Sequence, residues 1–217
     1  MNNNMMFPTN DEIKIIDSFL SKNELKRKSQ WDKIEKYIDL LLEENEKHNL
    51  IGKNTVSCIW MRHVIDSIQL IDFINDCDCK NIFDLGSGAG FPAIILSIAT
   101  DKKIIMVEKS PVKASFLRKV CSELKLDFYI INEVIDRINI NNFIKNEIIL
   151  TARAFKSIRE ILDLVYHNTN IKKIVLLKGE KVYFEIDEYL KSTSNSAINY
   201  NIIKSSYNNS YIVKVQF

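Results

Sequence analysis

Glycine and proline are scarce, with five and three copies in 217 residues. That excludes collagen-like repeats and Gly/Pro-rich low-complexity segments. The four cysteines, Cys58, Cys77, Cys79 and Cys121, contain no C-x-x-C pair and no partner Cys/His pair at zinc-finger distance. No metal site is therefore expected, and reduced thiols of a cytoplasmic protein are. Nothing resembles a signal peptide, and no apolar run approaches the roughly 18 residues of a membrane span. His48, His63 and His167 are the histidines, and none sits in a motif with a Ser or Cys nucleophile;. Neither sign of charge dominates, because 30 basic and 28 acidic residues leave +2. A nucleic-acid partner is neither demanded nor excluded by that sum, and local clusters decide.

What is present is an apolar fraction of 46% beside a charged fraction of 27%, the balance of a soluble globular chain;. The length suits one compact unit, with an Asn-rich start at Met1–Asn4 outside it;. Helical spacing of apolar residues predicts helices over Asp11–Leu20, Trp31–Lys47 and Ser57–Phe73, with a break at His48-Asn49-Leu50-Ile51-Gly52;. From Asn81 the rhythm becomes strand, loop, helix. Strands are expected at Ile82–Leu85, Lys103–Val107, Leu126–Ile131, Glu147–Thr151 and Ile171–Leu177, and helices at Ala93–Ala99, Pro111–Leu124 and Ile158–Tyr166. Ile198–Ser205 and Ser210–Phe217, broken at Asn208-Asn209, read as an antiparallel hairpin;.

Alternating β and α elements imply a mostly parallel sheet covered on both faces. With the hairpin at its edge this is similar to the α/β, Rossmann-like class I methyltransferase fold, a seven-stranded sheet. Residues 1–80 would form a helical extension packed on a core of residues 81–217.

Three of the five glycines fall in Asp84-Leu85-Gly86-Ser87-Gly88-Ala89-Gly90-Phe91, between a strand and a helix. A tight turn closely approached by a ligand explains the cluster; a purely structural turn is the alternative. The dinucleotide fingerprint G-x-G-x-x-G does not fit, since Phe91 stands where its third glycine belongs;. D-x-G-x-G-x-G is instead the pattern of loops that hold S-adenosylmethionine, with Asp84 and loop backbone facing its amino-acid tail. Glu108 ends the second strand about 20 residues further on, where a carboxylate accepts both ribose hydroxyls. Without the loop it would be a solvated charge.

A sulfonium donor needs no acid/base triad, because in-line positioning and exclusion of water supply much of the acceleration. If the acceptor is a ring nitrogen with a free lone pair, a general base is optional. Ligands of open α/β sheets sit beyond the carboxyl ends of the strands. Arg153, in Thr151-Ala152-Arg153-Ala154-Phe155, and Lys178, before Gly179, are placed there as candidate catalytic groups. The planar fork of Arg suits phosphate or a guanine edge, and Lys supplies a point charge. Either could instead be a surface cation. Arg62, His63, Lys109, Lys113 and Arg118 are candidate RNA contacts, against the alternative of a solvated face;.

Together these motifs resemble the RsmG (GidB) family of bacterial 16S rRNA guanine-N7 methyltransferases. The resemblance runs from about Trp31 to Lys178, through His48-Asn49-Leu50, Arg62-His63-Val64-Ile65-Asp66-Ser67, Asp84–Pro92, Lys113–Leu117, Ala152–Phe155 and Leu177-Lys178-Gly179. R-H-x-x-D-S and R-A-F are more specific than the glycine loop. The resemblance implies methyl transfer from S-adenosylmethionine to N7 of one guanine in 16S rRNA of the 30S subunit. The protein is expected in the cytoplasm, with a monomer as the plain default for an oligomeric state the sequence does not set. It carries cofactor contacts over to Gly86, Phe91, Val134-Ile135 and Arg153, beside Asp84, Gly88, Gly90 and Glu108 read from the loop. Arg62, His63 and Asp66 would brace the N-terminal helices or touch RNA.

The chain departs from the family pattern at Ala93 and Ile95, at Glu133 and Ile135, and at Ser210, where members often carry Arg. Two other readings stay open: a methyltransferase for a small molecule or protein, and a cofactor-binding protein without catalysis.

Overall fold

The structure is a computed structural model that describes residues 7–144, 146–165, 168–192 and 198–216. Met1–Asn4, Tyr166, His167 and Phe217 lie outside the described residues.

Helix α1 (Asn10–Phe19) starts at a capping box, with the Thr9 side chain accepting from Glu12 N and the Glu12 side chain accepting from Thr9 N;. Helix α2 (Glu24–His48) is longer than its apolar stripe predicts, because Asn23 caps it through Lys26 N seven residues before that stripe begins. It ends where Asn49 takes a left-handed backbone;. Gln30, buried on α2, donates to the carbonyls of Ile98 and Ala99 at 3.1 and 3.0 Å. Those two carbonyls close the helix that follows the glycine loop, so Gln30 fixes α2 over that loop.

The single helix expected over Ser57–Phe73 is broken. The chain forms α3 (Lys53–Val56), a π-helical segment Trp60–Ile65, then α4 (Asp66–Ile68) and α5 (Ile71–Ile74). The π segment buries Trp60, His63, Val64 and Ile65;.

The sheet order is β3-β2-β1-β4-β5-β7-β6. Strands β1 (Asn81–Leu85), β2 (Lys103–Val107), β3 (Phe128–Ile131), β4 (Ile148–Arg153) and β5 (Ile171–Lys178) are parallel. β7 (Tyr211–Gln216) runs antiparallel to β5 and to β6 (Asn199–Lys204). The expected α/β arrangement is thus present. β3 begins two residues later than expected, because Leu126 N bonds back to Cys121 O and belongs to the end of the preceding helix. β4 runs two residues further than expected and makes Arg153 its last residue.

Helices α6 (Ala93–Thr100) and α7 (Pro111–Glu123) pack with α1, α2 and α4 on one sheet face, sharing Ile16, Tyr37, Leu41, Ile94 and Leu117 in one apolar cluster. Helices α8 (Ile158–Val165) and α9 (Val182–Ser192) cover the other face through Ile161, Leu162, Val182 and Ile186. Each such side chain removed from water contributes ~1.5–3 kcal/mol. α9 is an addition to the expected elements: exposed Tyr183 and Phe184 beside buried Val182 hide its apolar stripe. Among the described residues no helix is long and apolar enough to cross a membrane.

The expectation of four reduced thiols is corrected at one place. Cys77 and Cys79 are joined as a disulfide, with Cα atoms 5.3 Å apart, inside the usual range, while Cys58 and Cys121 are free;. They flank Asp78 in the turn before β1, and Lys102 Nζ donates to both of their carbonyls, holding that turn closed.

Candidate active site

A cavity of about 650 Å³ opens beyond the carboxyl ends of β1, β2 and β4. Its floor is the glycine loop. Gly86, Gly88 and Gly90 have φ of 66°, 57° and 106°, a region that side chains rarely enter;. At Gly86 a Cβ would lie 2.3 Å from the Phe155 ring, and at Gly90 2.4 Å from Ile94. Tyr37, wholly buried on α2, donates to Ala89 O at 2.7 Å and ties the N-terminal layer to the loop.

Glu108, at the end of β2, accepts from Gly88 N on one oxygen and from Ser110 N on the other, each at 2.8 Å. The carboxylate is held in the cavity wall by backbone alone, and each oxygen keeps a lone pair for a further donor;. Val134 and Ile135 add an apolar strip beside it.

Asp84 lies beneath the loop rather than in the cavity wall, 1% exposed. Its Oδ1 accepts from Thr151 Oγ1 at 2.7 Å, and its Oδ2 has no hydrogen-bond partner among the described residues. Burial pushes its carboxyl up to about 7, against the opposing pull of Ser87, Thr151 and the Arg153 charge;.

The opposite wall is built on Phe91. Its ring meets Tyr37 at 5.1 Å and stacks on His63 at 4.8 Å, and the Arg153 guanidinium lies 5.5 Å from its centroid;. Arg153 Nη1 donates to Arg62 O at 3.1 Å, and Nη2 meets His63 Nδ1. Burial holds His63 down at about 3, with the Arg153 and Arg62 charges adding to it.

The imidazole is therefore neutral, and Nδ1 must be the acceptor facing Arg153. That assignment puts the proton on Nε2, which donates to Thr55 Oγ1 at 2.9 Å;. Thr55 passes its own hydroxyl proton to Gly52 O at 2.8 Å. Both ring nitrogens of His63 are thus engaged. Burial also lowers the pKa of Arg153, yet among the described residues no carboxylate reaches ion-pair distance of it. A buried guanidinium stays charged and favours an anionic ligand.

The remaining residues of R-H-x-x-D-S brace the fold. Asp66 Oδ1 accepts from Asn208 Nδ2, Ser210 Oγ and Gln69 Nε2 at 2.5, 3.0 and 3.2 Å. Gln69 Oε1 accepts from Ser205 Oγ at 2.8 Å, so this segment clamps both ends of the hairpin turn. Ser210 thus holds Asp66 through its hydroxyl.

Gly86, Gly88, Phe91, Glu108, Val134, Ile135, Arg153, His63, Lys109 and Lys113 all line the cavity. Arg62 contributes its carbonyl, and Gly90 supports the loop from below. Arg118 is five residues beyond Lys113 on α7, about 140° around the helix, and faces away from the mouth.

Lys178 is corrected: it does not project into the cavity. It ends β5 on the α8/α9 face, where Glu185 Oε2 and Lys156 O each accept from its Nζ at 2.8 Å. Sequence reasoning placed Leu50 and Phe155 only within motifs and Ile51 and Gly52 only within the helix break at His48–Gly52, and it singled out neither Tyr37 nor Thr55. Tyr37 sits unmarked in a helical stripe, so no local signal could have found it.

The family model described as rRNA small subunit methyltransferase G, GidB, matches residues 30–212. The chain belongs to this family. It is 33% identical to "Ribosomal RNA small subunit methyltransferase G" of Orientia tsutsugamushi strain Ikeda over 202 residues, 93% of this chain and 98% of that protein. To the protein of the same name from Pelagibacter ubique it is 41% identical over 164 residues, 69% of this chain and 73% of that one.

Among solved structures it is similar in fold to an O-methyltransferase from Bacillus cereus in complex with SAH, with TM-score 0.61, 11% identity and coverage of 96% and 98%. An SAH-bound methyltransferase from Podospora anserina gives TM-score 0.58, 12% identity and coverage of 91% and 97%. These likenesses show the Rossmann-like methyltransferase fold.

Proposed function

We propose that this GidB-family protein transfers a methyl group from S-adenosylmethionine to N7 of a guanine in 16S rRNA of the small ribosomal subunit, acting as a cytoplasmic monomer. The observation that carries the reading is the continuity of one cavity from the glycine loop and Glu108 to the guanidinium of Arg153, which meets no carboxylate among the described residues.

The residues present fit the cofactor. Glu108, fixed by two backbone donors with lone pairs to spare, suits a ribose diol. Val134 and Ile135 suit an adenine face. Gly86 and Gly88 leave backbone bare for the methionyl part, the partnerless Asp84 Oδ2 adds negative potential below its ammonium, and Arg153 matches its carboxylate. When bound, the cofactor supplies a methyl group already activated by a sulfonium.

The chain then has to orient and to exclude water. Phe91, His63 and Leu50 line the wall facing the loop and keep that side dry. No side chain need remove a proton, because N7 of guanine offers a free lone pair. His63 is unsuited to that task in any case, with both nitrogens engaged. Lys109 and Lys113 sit in the mouth, where they would meet phosphate; Arg62 and Arg118 would act further out;. With a net charge of +2, phosphate attraction alone is modest, so a preassembled small subunit is favoured over naked rRNA;.

The test is transfer of labelled methyl groups to small subunits from cells lacking this modification, followed by mapping of the nucleotide. Label at N7 of one 16S guanine is expected. Label confined to small molecules or proteins would overturn the reading.

A further inference from the structure

The first turn of α9 leaves two large aromatic side chains in water. Tyr183 is 57% exposed and Phe184 62% exposed. Isolated exposed hydrophobics are ordinary, but these belong to a group. Tyr183 stands edge-on to Tyr211 at 5.6 Å and 79°. Tyr211 opens β7, and its register partners are Lys178 at the end of β5 and Lys204 at the end of β6. All three positions lie at the end of the sheet where the cavity opens.

Strand alternation places Tyr211 and Lys204 on the α8/α9 face, the same face as Tyr183;. Lys204 and Lys181 are exposed, and neither has an ion-pair partner among the described residues. Glu180 in the same turn and Glu188, one turn beyond Phe184, are exposed as well, so the two lysines act as local cations beside the rings and not as a net positive field;.

The group is continuous with the cavity. Lys156 lines the cavity, its carbonyl accepts from Lys178 Nζ, and Lys178 is paired across the sheet with Tyr211. Two strand spacings, about 10 Å, separate the end of β4 from the start of β7;. A polynucleotide bends easily over that distance, so a chain with one base in the cavity would pass its neighbours over this surface. Aromatic rings interleaved with free cations are the chemistry that holds unpaired nucleotides: bases stack on the rings and lysines meet the phosphates.

We propose that Tyr183, Phe184 and Tyr211, with Lys181 and Lys204, form a stacking platform for unpaired nucleotides adjoining the target guanine. This rests on the rRNA reading above.

The test is steady-state methylation of protein-free small-subunit rRNA and of small subunits, comparing wild type with Tyr183→Ala/Phe184→Ala, Phe184→Ala alone and Tyr183→Trp. Loss of base stacking raises KM for RNA about tenfold in the double variant. Phe184→Ala, at the more exposed position, gives a smaller rise and guards against misfolding. Tyr183→Trp, which keeps a stacking ring, retains the wild-type KM for RNA, and in every variant kcat and KM for S-adenosylmethionine stay within about twofold.

An unchanged KM for RNA in a folded double variant would overturn the platform. So would a rise seen only on small subunits, which would assign the surface to a protein of the particle. Wild-type protein that methylates no RNA would bring down the rRNA reading and the platform together, whereas active wild type with an indifferent double variant removes the platform alone.

Discussion

On the β1–β2 side of the cavity the key contacts are made by backbone and lie within one short stretch of chain. Gly88 N and Ser110 N grip Glu108, and Gly90 N bonds Ser87 O. On the β4 side they are made by side chains brought from far apart. Arg153 meets His63 across 90 residues, and Asp66 meets Ser210 across 144. The first half is rigid because its turn admits little but glycine. The second is rigid only because several buried side chains satisfy one another. A single substitution should therefore act by collision in the first half and by loss of orientation in the second.

Gly86→Ala is the sharpest blow to the first half. The new Cβ would sit 2.3 Å from Phe155 on a backbone at φ 66°. Strain of ~1–3 kcal/mol, together with displacement of Phe155 from the cavity wall, is expected to weaken cofactor binding by about a hundredfold. Calorimetric titration with S-adenosylhomocysteine checks this, and unchanged affinity would show that the loop yields.

His63→Ala strikes the second half. It removes the acceptor of the Arg153 fork and the ring stacked on Phe91. A lost hydrogen bond to a charged group corresponds to ~1.5–3 kcal/mol, so kcat should fall by about tenfold or more while cofactor affinity changes much less. An equal fall in both would merge the two halves.

Lys178→Ala tests whether that lysine belongs to either half. It leaves Glu185 without its partner and should cost ~1–2 kcal/mol of stability, read by denaturant unfolding, with kcat changed less than about twofold. A collapse of kcat in a folded variant would return Lys178 to the chemistry.

A last effect, confined to stability, concerns pH. Asp84 rises from its ordinary 3.8 to about 7 in the folded protein, so folding is unaffected below 3.8 and loses stability as pH climbs toward 7 and the unfolded chain ionises first;. Asp84→Asn should match wild type at low pH and melt higher above pH 7. Parallel melting curves would contradict that environment.

The same contrast explains what could be read in the residues alone. β2 falls where the strand, loop, helix rhythm places it, on the short apolar run at Lys103–Val107, and the glycine loop carries its own signature because its constraint is local. The break of the third helix carries no local mark in Ser57–Phe73, and the contact its π segment makes, His63 against Arg153, is 90 residues long. Lys178 has the right position at a strand end and the wrong face, which depends on Glu185 in the unexpected helix α9. Cys77 and Cys79 pair through a turn closed by Lys102, far from either in sequence. R-H-x-x-D-S could be tied to the site only through the family resemblance, and its division of labour, His63 inward and Asp66 to the hairpin, needed the fold.

The halves meet at Arg153, and single-turnover methyl transfer to unmodified small subunits by Arg153→Ala, beside its cofactor affinity and melting temperature, tests the account most directly. Transfer abolished, by about a thousandfold or more, in a protein that still folds and still binds cofactor with affinity reduced about tenfold, is the predicted result. Full transfer by the folded variant would contradict it.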